Sequence, residues 1–309
     1  MPLKSIIIGS RGSELALWQA NWVKSKLESL YPSIGIEVKI IKTQGDRILD
    51  VALSDIGDKG LFTKAIEDAL LDKSIDLAVH SLKDLPTVLP DGLGIAAVSE
   101  RENPLDVFIS LKYSSIEELP KGAAIATGSL RRKSQLLNYR KDLNIKDIRG
   151  NITTRIKKFE ESGWDGIILA YAGVNRLKLN KYIKQIIPED IILPAVSQGI
   201  MAIETRLTDS EINKMLEAVN NRDSFIQMSA ERSFLKTVEG GCQIPVGVFT
   251  WIEKGRIHMK AMIGSLDGTN VIKCQMDDEV SQCVWLGVNS AEELLKNGGR
   301  EILQSLRSN

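Results

Sequence analysis

"SIIIGSRGSELALWQANWVKSKLESL", residues 5–30, decides the reading of the fold. Three consecutive isoleucines predict a buried strand. The glycine-bracketed "GSRG" that follows predicts a tight turn. Ser13 then stands where a helix N-cap belongs, and Leu15, Trp18, Val23 and Leu27 recur near helical spacing. A buried strand turning into an amphipathic helix is the repeating unit of α/β domains.

The same grammar continues along the first two-thirds of the chain. "IEVKII" (36–41), "IDLAVH" (75–80) and "LGIAAV" (93–98) read as strands, with "GLFTKAIEDALLDK" (60–73) as a helix between them. The charged, proline-containing "SERENPLD" (99–106) reads as a crossover. The pattern then restarts: "AAIATG" (123–128), "IKDIRG" (145–150) and "DGIILA" (165–170) each precede a helix-like segment. "IILPAVSQG" (191–199) reads as a second crossover, and the strand "IMAIET" (200–205) is a candidate to rejoin the first sheet. From about Asp223 the signals change. A helix is followed by strand-like "GVFTWIEKGRIHMKAMIG" (247–264) and "NVIKCQM" (270–276), joined through the hairpin signal "LDGT". A last amphipathic helix carries Gly298 and Gly299 as a kink. These boundaries predict an α/β domain of residues 1–99 plus 200–220, a second α/β domain of 100–199, and a small α+β domain of 221–309.

Forty basic and forty acidic residues leave no net charge, which argues against a nucleic-acid or membrane-surface binder. No apolar run approaches the roughly 20 residues that span a bilayer. Three cysteines make a disulfide framework improbable and a reducing compartment expected. The chain opens directly on a strand with no secretory leader ahead of it, so a cytoplasmic protein is expected. With two histidines and no zinc-like cysteine spacing, no metal site is expected.

Arginines gather at the starts of helices. "GSRGS" carries Arg11 and Ser13. "TGSLRR" carries Thr127, Ser129, Arg131 and Arg132. "RGNITTR" carries Arg149, Asn151 and Arg155. A helix N-terminus is already positive, so arginine there is unfavourable unless an anion is present. One such arginine is ordinary surface charge; three junctions point to an anionic ligand gripped by guanidinium forks. Arg176, in "AGVNRLK", is a weaker member of the set. No nucleotide-binding glycine motif is present, so a ligand bearing several carboxylates is favoured.

"AVHSLKDLP" (78–86) leads from a buried strand into Lys83 and Asp84 at a carboxyl end, where α/β folds place ligands. Asp84 either meets an N–H group or a developing cation, or is a structural partner of a nearby base. The polar stretch 43–62, with Asp46 and Lys59, reads as a mobile lid or as an ordinary long loop. Cys242 sits after two glycines in "TVEGGCQIPVGVF" (237–249). With no histidine placed beside it, attachment is favoured over nucleophilic catalysis.

Taken together, "GSRGSELALWQ", "TQGD", "KGLFTK", "DLAVHSLKDLPT", "TGSLRRKSQL", "RGNITTR", "ILAYAGVNRL", "LPAVSQGIMAIE" and "EGGCQIPVG" closely resemble the porphobilinogen deaminases. The resemblance implies two domains like type II periplasmic binding proteins with a cleft between them, plus a small C-terminal α+β domain. It implies stepwise condensation of four porphobilinogen molecules into the linear tetrapyrrole hydroxymethylbilane, with loss of ammonia. It further implies a dipyrromethane cofactor bonded to Cys242 by a thioether, and a monomer. By the same resemblance Asp84 is the catalytic carboxylate, contacting pyrrole N–H groups and the azafulvene cation formed as ammonia leaves. Lys83, Asp84, Thr127, Ser129, Arg131, Arg132, Asn151 and Arg155 hold the cofactor. Arg11, Ser13, Phe62, Arg149, Arg176 and Gln198 meet substrate and growing chain, and Asp46 and Lys59 belong to the mobile loop.

Two positions depart from the family's pattern: Gly128 stands where a second serine is expected, and Ser197 where glycine is commoner. A solute-binding protein for a small anion shares this fold grammar, but the third domain and the Cys242 turn speak against it.

Overall fold

The computed structural model describes residues 3–43, 63–239 and 244–307. Asp46, Lys59, Phe62 and Cys242 lie outside them. In chain order the first elements are β1 (Ser5–Ser10), α1 (Glu14–Leu30), β2 (Gly35–Ile40), α2 (Lys64–Leu71), β3 (Leu77–Ser81) and β4 (Leu93–Val98). Next come β5 (Asp106–Ile109), β6 (Ala124–Ala126), α3 (Leu130–Tyr139), β7 (Asn144–Lys146), α4 (Ile152–Glu160), β8 (Gly166–Ala170), α5 (Tyr171–Arg176) and β9 (Ile183–Ile186). The chain continues through β10 (Met201–Arg206), α6 (Ser210–Leu216), α7 (Arg222–Thr237), β11 (Val246–Glu253), β12 (Arg256–Gly264), β13 (Val271–Glu279), α8 (Cys283–Leu294) and α9 (Arg300–Arg307). Between α8 and α9 the expected kink falls at Gly298, whose φ of 106° is left-handed.

The chain divides into two compact units. The first comprises residues 1–102 and 200–225 and holds a five-stranded sheet of order β2-β1-β3-β10-β4. β1 runs parallel to β2 and β3, while β10 is antiparallel to both of its neighbours. The returning strand 200–205 thus takes the fourth place in this sheet. Flanked on both sides, β10 is buried along its whole length. The core joins Ile6, Ile8, Leu77, Val79 and Ile203 of the sheet to Val23 and Leu27 of α1; Leu15 and Trp18, read as part of the same stripe, are only half-buried and stand outside this core.

The second unit comprises residues 103–199 and 226–309 and holds two sheets. One has the order β7-β6-β8-β5-β9, which repeats the first unit's plan strand for strand: β6 parallel to β7 and β8, and β5 antiparallel in the fourth place. Neither β5 nor β9 is expected from the sequence. The segment 99–106, read wholly as a crossover, ends in the first residue of a buried strand. The other sheet is an antiparallel meander, β11-β12-β13, over a core of Phe234, Val248, Met259 and Leu294. Among the described residues, no helix is long and apolar enough to cross a membrane.

Candidate functional site

The shared topology sends the ends of β1, β3, β6, β7 and β8 to equivalent places in their own units, and these ends carry the residues singled out by sequence. In the first unit β1 runs through Arg11 to Ser13, whose Oγ accepts from the Ala16 amide and caps α1. Arg11 and Ser13 are both half-buried.

β3 ends at Ser81 and passes into a single helical turn, Leu82–Asp84. Contacts among the described residues hold that turn. The Leu82 amide donates to the Ile200 carbonyl at 3.0 Å, the Leu85 amide donates back to the Leu82 carbonyl at 3.1 Å, and the buried Gln19 Nε2 donates to Ser81 Oγ at 2.9 Å. Leu82 is buried, Lys83 half-buried, and Asp84 exposed. A carboxylate is therefore presented to solvent from a rigid support.

In the second unit β6 runs into Thr127, which is buried; its Oγ1 accepts from the Ser129 amide at 3.3 Å. Ser129 caps α3, its Oγ accepting from the Arg132 amide. Gly128 between them has a steric reason: a Cβ there would stand 2.7 Å from the Ile148 carbonyl oxygen. The serine expected at this position does not fit this backbone without a shift. Asn151 caps α4 by accepting from the Thr154 amide at 2.8 Å. Arg155 folds back so that Nε donates to the Gly150 carbonyl at 2.8 Å, and Arg149 is half-buried beside it in sequence.

The largest surprise is the environment of Arg131 and Arg132. Both are buried, and both point at one carboxylate, Asp106 at the start of β5. Arg131 Nη1 donates to Asp106 Oδ2 at 2.8 Å and to the Leu193 carbonyl at 2.6 Å. Arg132 Nη2 donates to Asp106 Oδ1 at 2.7 Å, and its Nη1 to the Ile168 carbonyl at 3.0 Å. Burial pushes the Asp106 carboxyl up, but the charges of Arg131 and Arg132 outweigh it and hold the group well below the usual carboxylate range. The anion that the sequence demanded at this helix start is thus supplied, in part, by the protein itself. Sequence reading missed Asp106 because it stands in a stretch taken as linker; the apolar "VFI" directly after it was the available signal.

Gln198 is buried, and its Nε2 donates to Asp106 Oδ1 at 2.8 Å and to the Pro104 carbonyl at 2.7 Å. Arg176, at the end of α5, is buried too, with Nη2 donating to the Gly199 carbonyl at 2.7 Å. The structure therefore brings Arg131, Arg132 and Gln198 together on one carboxylate. Ser197, the second departure from the family's pattern, has a φ of 61°. That is the left-handed region where glycine is at ease, which explains why glycine is the commoner residue there.

Cys274 and Cys283 are free and half-buried. Burial pushes the Cys274 thiol up to about 11 and raises that of Cys283 as well. Both shifts disfavour the thiolate, so both side chains are poorer nucleophiles than a free cysteine.

Against this geometry, comparison with known proteins is unambiguous. The family model described as "Porphobilinogen deaminase, dipyromethane cofactor binding domain" matches residues 6–214, and that described as "Porphobilinogen deaminase, C-terminal domain" matches residues 225–296. A porphobilinogen deaminase of Carboxydothermus hydrogenoformans is 50% identical over 304 residues, covering 98% of each chain. One of Syntrophomonas wolfei is 50% identical over 305 residues, covering 99% of this chain and 100% of its own. Among solved structures, the methionine-binding protein MetQ aligns at 13% identity and a TM-score of 0.45, over 74% of this chain and 94% of that one, a likeness too loose to carry weight.

Proposed function

The chain belongs to the porphobilinogen deaminase family, and from that premise we propose how its residues divide the work. The reaction is the condensation of porphobilinogen into hydroxymethylbilane with release of ammonia, primed on a dipyrromethane cofactor. Cys242 is the attachment point by its place in the family's "EGGCQIPVG" stretch, and Cys274 and Cys283, half-buried thiols with raised pKa values, are poorer candidates.

The residues present suit such a group. A dipyrromethane bears acetate and propionate carboxylates, and the second unit offers matching donors. Arg131 and Arg132 keep buried Nε atoms without a partner among the described residues. Thr127 and Ser129 follow β6, and Asn151 and Arg155 stand at the start and in the first turn of α4. When bound, the cofactor supplies the pyrrole carbon on which the chain grows. The arginines hold carboxylates by paired N–H donors and thereby fix register. Arg11, Ser13, Arg149, Arg176, Gln198 and Phe62 receive the substrate and the lengthening product; Asp46 and Lys59, like Phe62, lie outside the described residues and are assigned to the same reaction by family resemblance alone. Lys83 helps hold the cofactor beside Asp84.

Asp84 carries the chemistry. Its carboxylate accepts from pyrrole N–H groups and stabilises the positive charge that develops on a porphobilinogen ring as its amino group departs as ammonia. The observation that carries this reading is the placement of Asp84, exposed on a turn fixed by Leu82 and Ser81. The protein works as a cytoplasmic monomer, a reading supported by the family resemblance for the monomer and by the free thiols of Cys274 and Cys283 for a reducing compartment. Its working parts are residues 1–99 with 200–220, 100–199, and 221–309; the C-terminal family match over 225–296 supports the last division.

The test is to supply porphobilinogen and follow both ammonia and product. One ammonia released per porphobilinogen consumed, with a linear tetrapyrrole formed, is expected. Reversible binding with no ammonia would overturn the assignment.

A further inference from the structure

We propose that Asp106 is a positioning residue that readies Arg131 and Arg132 for the cofactor's carboxylates; this rests on the cofactor-holding role given to those two arginines above. Asp106 is fully buried, and its two oxygens are divided between the two guanidiniums. Each guanidinium is also tied to a backbone carbonyl, Arg131 to Leu193 and Arg132 to Ile168. An arginine side chain held at two points has lost most of its freedom before any ligand arrives, so less is lost on binding.

Charge leads to the same place. Two buried cations share one buried anion, so this group carries an excess of one positive charge. A carboxylate arriving there completes the balance. Without Asp106, two adjacent guanidiniums would repel each other in a poorly solvated site and turn away from one another. Gln198 steadies the arrangement from a third side by donating to Asp106 Oδ1 and to the Pro104 carbonyl. Asp106 is a positioning residue in this account: it acts through the arginines and touches no reacting atom.

The test compares Asp106→Asn with Phe108→Leu, a destabilising control on the same buried strand. Melting temperature and the cofactor-loaded fraction, read by intact-protein mass, are measured for both and for the unaltered chain. At comparable melting temperatures, Asp106→Asn is expected to lose loading by about tenfold or more, and Phe108→Leu to load fully. Equal loading of the two variants overturns the proposal, because Asp106 would then be structural only. If Asp106→Asn does not fold, Asp106→Glu takes its place. It keeps the charge but displaces it by a methylene, and is expected to load less than Phe108→Leu; equal loading again overturns the proposal. If the unaltered chain gains no cofactor mass even with porphobilinogen, the functional reading itself fails. A loaded unaltered chain with an equally loaded Asp106→Asn variant removes only the role of Asp106.

Discussion

Nε2 of His80 lies 3.0 Å from Oε2 of Glu204, joining β3 to β10 beneath the turn that presents Asp84. Both side chains are nearly shut from solvent. Glu67 of α2 completes a buried cluster in which Oε1 of Glu67 and Oε1 of Glu204 have no partner among the described residues. Burial, chiefly, and also the charges of Glu204 and Asp68 push the Glu67 carboxyl above its ordinary value of 4.5, against the pull of the Thr63 hydroxyl and, more weakly, of His80. A carboxyl raised on folding contributes stability in its protonated form, and that contribution is lost as pH rises through the folded value.

Glu67→Gln is therefore expected to raise the melting temperature at neutral pH, with a gain that shrinks as pH falls towards 4.5. Thermal melts of both chains across that range check it. A gain independent of pH, or a loss at neutral pH, contradicts the account of this cluster.

Ser197 is buried in a left-handed conformation, and its Oγ has no partner among the described residues. Its amide donates to Glu231 Oε2, a bond that glycine would keep. Ser197→Gly should stabilise the fold by about 1 kcal/mol, from relief of strain and removal of a buried unpaired hydroxyl. Chemical denaturation gives the value directly, and a destabilised variant would show that the hydroxyl has an unrecognised partner.

Asp84 is exposed, so removing its carboxylate costs the fold little. Asp84→Ala should keep its melting temperature and lose turnover by about a hundredfold or more. Turnover like that of the unaltered chain would sink the role assigned to this residue.

Arg132→Leu should do two things at once. It should reduce cofactor loading, and it should lower stability by about 3 kcal/mol, because Asp106 would lose one of its two charge partners in a buried site. Arg155 is only partly buried and does not contact Asp106 in this way. Arg155→Leu should impair loading with a smaller loss of stability. Equal losses of stability in the two variants would contradict the view that Asp106 is held by Arg131 and Arg132.

Much of this was legible in the chain. Strand–turn–helix units could be read because their signals are local: apolar runs, Ser13, Ser129 and Asn151 as caps, and glycine at the kink. The exposed carboxylate at the end of β3 followed from the same local grammar. β5 and β9 escaped because they are four-residue strands whose pairing partners lie far along the chain, and no local period announces such pairing. The burial of Arg131 and Arg132 escaped for the same reason. Helix-start arginines next to a serine cap look solvent-facing in sequence, and only the return of β5 places Asp106 against them. The positive φ of Ser197 is likewise invisible in a residue type that rarely adopts it.

The central claim is that Cys242 anchors a dipyrromethane primer, and intact-protein mass tests it most directly. The unaltered chain, incubated with porphobilinogen, is measured beside Cys242→Ser. The account predicts added mass of one dipyrromethane on the unaltered chain and none on the variant. Masses that match the bare sequence of each incubated chain, or added mass that persists on Cys242→Ser, would contradict it.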